Sequence, residues 1–137
     1  MDSSLSIALF QMSPVWENSQ QNLTMLAQKF AVLTEQVDVI VLPEMFSTGF
    51  TMTPSKVAQT MTGETVSWMR KQAASRNVTI VGSVVIEEHG TYFNRMVWAK
   101  PEEEPLYYDK KHLFTLAKED ESYKAGTERL IAEWKGT

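Results

Sequence analysis

At 137 residues, the chain fits one domain or a large part of one. With 43% hydrophobic and 22% charged residues it is too apolar for a disordered chain, and a net charge of −4 argues against a nucleic-acid or anionic-membrane surface. The absence of cysteine excludes disulfides, thiolate metal sites and a cysteine nucleophile within these residues.

The apolar run Leu5 to Phe10 predicts a first strand, closed by Pro14. No basic lead precedes it, so a signal peptide is not expected. Asn18 is placed to cap a helix, with Gln21 as its reciprocal partner. Leu23, Leu26, Ala27, Phe30 and Leu33 then follow at helical spacing. Val37 to Leu42 is almost unbroken aliphatic, the pattern of a strand buried on both faces of a helix-covered parallel sheet. Residues 43–62, rich in Pro, Thr and Ser, read as a long loop, and loops of this length inside a domain are often functional.

A second helix is expected from Thr62 or Gly63 to Asn77, with Val66, Met69 and Ala73 on one face. Val78 to Ile86 and Tyr92 to Ala99 predict an antiparallel strand pair around the polar turn 87–90. A short strand at Leu106 to Tyr108 leads into a polar segment, 109–126, and a last strand is expected at Leu130 to Trp134. The order is α/β with an antiparallel portion. The chain stops after a Lys135-Gly136 turn that would normally lead into another strand, which points to a truncated domain. No stretch approaches the roughly 20 apolar residues of a membrane helix. A cytoplasmic protein is expected, in which the sequons at Asn22 and Asn77 carry no meaning.

Three segments could carry chemistry. Glu44 lies just past the carboxyl end of the VDVIVL strand, where open α/β sheets bind ligands. Flanked by Phe46 and Phe50, its carboxylate would be partly desolvated, raised in pKa and suited to general-base work; helix capping or loop ordering is an equal alternative. Lys110 and Lys111 cannot both point the same way on an extended segment, so one can face inward as an oxyanion stabiliser while the other meets solvent. A solvated Lys-Lys turn is the plainer reading. The run Glu119 to Gly126 reads from composition as an acidic, solvated loop. No metal-ligand spacing, phosphate loop or serine-nucleophile motif occurs, so no cofactor or metal is expected.

Together, Leu42-Pro43-Glu44-Met45-Phe46-Ser47-Thr48-Gly49-Phe50, Tyr108-Asp109-Lys110-Lys111-His112-Leu113-Phe114 and Glu119 through Tyr123-Lys124-Ala125-Gly126 resemble the nitrilase superfamily of carbon–nitrogen hydrolases, in its omega-amidase-like branch. Ala8-Leu9-Phe10-Gln11 and Ile80-Val81-Gly82-Ser83 match in style, so the likeness covers essentially the whole chain. It implies a four-layer αββα sandwich, of which residues 1–137 would supply the N-terminal half, ending before the nucleophile strand. It also implies a Glu-Lys-Cys triad. Glu44 matches the general base and Lys110 the oxyanion lysine. Glu119 matches a supporting glutamate, preferred to Glu121 because it lies seven residues before Gly126. The implied substrates are small omega-amides of dicarboxylic acids, such as 2-oxoglutaramate-like compounds. Without the cysteine this chain should not turn over alone. The alternative is a non-catalytic module of the same fold that binds a small amide or carboxylate. Half a sandwich would leave apolar sheet surface uncovered, so a homo-oligomer, a dimer first, is expected.

Overall fold

The computed structural model describes residues 4–136. Strands β1 (Ile7–Leu9), β2 (Val39–Val41), β3 (Thr79–Glu88), β4 (Thr91–Ala99) and β5 (Leu106–Asp109) form one sheet in sequential order. β1, β2 and β3 run parallel; β4 and β5 return antiparallel. Two thirteen-residue helices, α1 (Ser19–Ala31) and α2 (Glu64–Arg76), make the crossovers between the parallel strands. A single-turn helix, α3 (Glu119–Ser122), follows β5.

The local signals explain both long helices. The Asn18 side chain accepts from the Gln21 N–H at 3.1 Å and donates to the Gln21 side chain at 3.3 Å, closing the N-terminus of α1 from both sides. Asn77 ends α2 in the left-handed conformation (φ 52°), and its N–H returns to the carbonyls of Ala73 and Ala74. Leu26 and Phe30 of α1 meet Val66, Met69 and Ala73 of α2 over Ile40, Ile80, Val84, Val97 and Ala99. Full burial of such a side chain contributes about 1.5–3 kcal/mol. Phe30 sits at the centre, edge-on to Phe10 at 4.9 Å and beside Trp68 at 5.6 Å. Asn22 is fully buried, bonded to Val15 and to the Ser47 carbonyl, so its sequon is inaccessible.

Pleating divides the sheet into two faces. Ile40, Ile80, Val84, Val97 and Ala99 face the helices. The alternate residues, among them Val41, Val81, Ser83, Asn94, Met96 and Tyr108, face the other way. No long helix covers that second face among the described residues, and Ile7, Leu9 and Leu106 stand exposed on it.

Two expectations fail. Leu130 to Trp134 does not form a strand; the segment alternates in burial, but among the described residues no strand pairs with it to take its backbone hydrogen bonds. The acidic run 119–126 is not a solvated loop throughout: Glu119 opens α3 fully buried and Tyr123 is buried behind it. Among the described residues no helix is long and apolar enough to cross a membrane.

Candidate active site

Glu44 reaches its position through a sharp turn after β2. Pro43 fixes the entry, and Met45 takes a left-handed backbone (φ 48°) that costs a non-glycine residue about 1–2 kcal/mol. That conformation is held by the Met45 N–H donating to Ser83 Oγ at 2.7 Å, and by the Thr48 and Gly49 N–H groups donating to the Met45 carbonyl. Phe46 then plunges into the helix-side core against Trp68. Gly82 makes this possible, because a Cβ there would sit 2.7 Å from the Phe46 ring and 3.0 Å from Leu42 Cβ. Phe46 therefore anchors the turn but does not desolvate Glu44, whose side chain is 48% exposed. Of the two aromatic neighbours expected to shield it, Phe46 is turned to the opposite face, and the carboxylate is half-buried rather than enclosed.

Lys110 follows β5 directly. Its N–H donates to the Asn94 carbonyl at 3.0 Å, and its carbonyl accepts from the Gly126 N–H at 3.0 Å. Gly126 leaves no room for a Cβ, which would collide with the Asp109 backbone. This clamp sends the Lys110 side chain over the second face, while Lys111 stays exposed, as alternation on an extended segment requires. His112 and His89 are both exposed.

Glu119 closes the arrangement. Its Oε1 accepts from the Phe114 N–H at 2.7 Å, and its own N–H returns to the Phe114 carbonyl at 3.2 Å. α3 is fastened to the loop after Glu44 by Tyr123 Oη donating to the Thr51 carbonyl at 2.7 Å and Ser122 Oγ to the Met52 carbonyl at 3.0 Å. Glu121 is exposed and takes no part.

The three side chains converge. Lys110 Nζ lies 2.9 Å from Glu44 Oε1 and 2.9 Å from Glu119 Oε1. Asn94, which sequence reasoning overlooked, completes the group: its Nδ2 donates to Glu44 Oε1 at 2.8 Å and to Glu119 Oε2 at 3.1 Å. The available signal was an isolated Asn inside an apolar strand, where the residue is disfavoured. Burial by itself would lower the Lys110 pKa, but the hydrogen bonds and charges of Glu44 and Glu119 prevail and raise it. Burial would raise Glu119; the Phe114 N–H, Lys110 and Asn94 outweigh it and hold this carboxylate below its ordinary value. The Phe50 ring lies 5.4 Å from Lys110 Nζ and adds a cation–π contact.

Glu44, Asn94 and Lys110 line a cavity of about 290 Å³ on the second face, together with Val41, Met96 and Tyr108. A cationic donor beside an accessible carboxylate, over an apolar floor, can bind a small polar group, stabilise negative charge on an oxygen and move a proton.

Residues 6–133 match the carbon-nitrogen hydrolase family. The chain belongs to that family. It is 39% identical to the omega-amidase YafV of Yersinia enterocolitica over 98% of its own length and 52% of the relative's. Against the Escherichia coli K12 omega-amidase YafV the identity is 40%, over 96% and 51% of the two chains. The crystal structure of XC1258 from Xanthomonas campestris, a CN-hydrolase superfamily protein, superposes with a TM-score of 0.91 at 41% identity, covering 96% of this chain and 50% of that one. The chain thus spans about half the length of the curated relatives it matches. Its sequence affinity is with the omega-amidase-like branch of the nitrilase superfamily, and its helix-backed sheet is that of the αββα fold.

Proposed function

We propose that this family member works as an amidase on small omega-amides, with Glu44, Lys110 and Glu119 as the charged part of its site. The observation that carries the reading is the 2.9 Å pairing of the Lys110 ammonium with two carboxylates at the carboxyl end of a parallel strand, beside a cavity of small-molecule size. Relatives named omega-amidase and 2-oxoglutaramate amidase support an omega-amide of the 2-oxoglutaramate type as substrate.

The reaction needs a thiol, which residues 1–137 do not contain. In the proposed mechanism a cysteine from outside these residues supplies it. Glu44 takes the thiol proton, and the sulfur attacks the amide carbon. The carbonyl oxygen becomes an oxyanion held by the Lys110 ammonium. The C–N bond breaks and ammonia leaves with the proton from Glu44, giving a thioester. Water then gives a proton to Glu44 and attacks the thioester; Lys110 holds the second oxyanion, and collapse releases the carboxylic acid and restores the thiol. Glu119, whose burial is outweighed by the Phe114 N–H, Lys110 and Asn94 so that its carboxyl lies below its ordinary value, pairs with Lys110 and fixes it.

The absence of cysteine favours a second reading for the 137 residues alone, a module that binds a small amide or carboxylate without turnover. Succinamate separates the two. A fusion extended past Thr137 with the cysteine-bearing half of a family relative should release ammonia from it and lose that activity in the Glu44→Gln variant. Ammonia release that survives Glu44→Gln overturns the assignment, and binding without release in the fusion supports the module.

A further inference from the structure

Asn94 has a place in the site that its strand does not explain. It lies in the middle of β4, its side chain buried, in a position where a β-branched or aliphatic residue would pack better. Both hydrogens of its amide are used, one toward Glu44 Oε1 at 2.8 Å and one toward Glu119 Oε2 at 3.1 Å. Its Oδ1 is buried and meets no donor among the described residues. What this side chain contributes at a buried position is its two donors, each given to a carboxylate.

The geometry has a consequence for Glu44. Asn94 Nδ2 and Lys110 Nζ converge on the same oxygen, Oε1, and Oε2 takes no hydrogen bond among the described residues. One oxygen is held by two donors and its partner is left to exchange a proton. Lys110 alone could not impose this, because a flexible ammonium can follow either oxygen. The Asn94 amide can, because it is planar, it extends from the sheet, and its second hydrogen is fixed by the buried Glu119.

We propose that Asn94 is a positioning residue: it bridges Glu44 and Glu119, sets the distance between them, and leaves Glu44 Oε2 as the oxygen that faces the cavity. The proposal rests on Glu44 being the proton-transfer group of this site. It deepens that reading by naming what orients the carboxylate.

The test uses the 137-residue chain labelled with ¹³C at its glutamate carboxyl carbons, with no substrate or nucleophile present. In Asn94→Leu the Glu119 titration should move upward, because a donor that favours the ionised form is gone. The Glu44 carboxyl-carbon signal at neutral pH should be displaced, and that of exposed Glu121 should stay where it is. Asn94→Ser, with one O–H donor, should give a smaller displacement. A folded Asn94→Leu chain with unchanged Glu44 and Glu119 signals overturns the proposal. Should Asn94→Leu fail to fold, Asn94→Ser decides by the same signals; if both unfold, Asn94 is a folding element and the proposal is wrong. These signals are independent of catalysis. Displaced carboxylates in a protein without amidase activity would sink the amidase reading alone, and unchanged ones in an active fusion would sink the positioning role alone.

Discussion

Replacing Glu119 with Gln keeps the shape of the side chain and removes its charge. The Gln carbonyl can still accept from the Phe114 N–H, which now lies 2.7 Å from Glu119 Oε1. The Gln amide at the Oε2 position would then confront the Asn94 amide, a donor against a donor, while the carbonyl keeps the 2.9 Å contact to Lys110 without its charge. One charge-assisted hydrogen bond disappears at a fully buried position and a second is reduced to a neutral one, where a bond to a charged group is worth roughly 1.5–3 kcal/mol net. Lys110 is 29% exposed and keeps Glu44, so water and that partner offset part of its loss. The expected cost is about 2–4 kcal/mol. At roughly 3–4 °C per kcal/mol for a domain of this size, the melting midpoint should fall by about 6–16 °C. Glu121→Gln, at an exposed position two residues on, should cost less than about 0.5 kcal/mol. The assay is thermal unfolding followed by circular dichroism. pH adds a second reading. Burial, outweighed by Phe114, Lys110 and Asn94, leaves the folded Glu119 below its ordinary value of 4.5. Its stabilisation is therefore fully present above that value and fades as pH falls through the lower folded-state pKa. The gap between wild type and Glu119→Gln should shrink on acidification. Equal midpoints for the Glu119 and Glu121 variants would refute the reasoning.

Arg95 is buried, pairs with Asp109 through Nε at 2.7 Å and Nη2 at 3.0 Å, lies 2.7 Å from Glu88, and has the Tyr107 ring 4.0 Å from its guanidinium carbon. Arg95→Ala should destabilise by about 3–5 kcal/mol in urea unfolding, and Arg95→Lys should recover only part, since an ammonium cannot make the forked pair with Asp109. Gly126→Ala forces a Cβ against the Asp109 backbone next to Lys110, so it should cost about 1–3 kcal/mol and also displace the Lys110 signals in an NMR spectrum; an unperturbed Lys110 would contradict the clamp. The helix-free sheet face, with Ile7, Leu9 and Leu106 exposed, should drive self-association of the chain, seen by light scattering as a mass above one chain; a monodisperse monomer would count against it.

Where the physics is local, the residues announced the structure. Asn18 with Gln21, and the stripe Val66, Met69, Ala73 ended by Asn77, define both helices within one or two residues. The aliphatic run at 37–42 identified a parallel strand from its composition, although only the Ile40 face of that strand meets the helices and Val41 looks into the cavity. Leu130 to Trp134 misled for the converse reason. Strand character needs a neighbour, and a segment's own alternation cannot supply one. The grouping of Glu44, Lys110 and Glu119, which the structure brings together, came from the family resemblance rather than from composition. Glu119 sits in an acidic run that looks solvated, and its burial depends on Lys110 nine residues back and Asn94 twenty-five back. Asn94 escaped because its meaning lies in Glu44, fifty residues away. The exposure of Glu44 also could not be foreseen, since Phe46 turns to the opposite face at a left-handed Met45.

In the proposed mechanism Glu44, Lys110 and Glu119 are the acid–base and oxyanion half of an amidase whose thiol lies outside residues 1–137. The deciding measurement is ammonia release from succinamate, made side by side for the 137-residue chain and for the cysteine-bearing fusion. The expected result is no turnover by the chain alone, turnover by the fusion, and its loss on Glu44→Gln or Lys110→Met. Turnover by the 137-residue chain alone would contradict it.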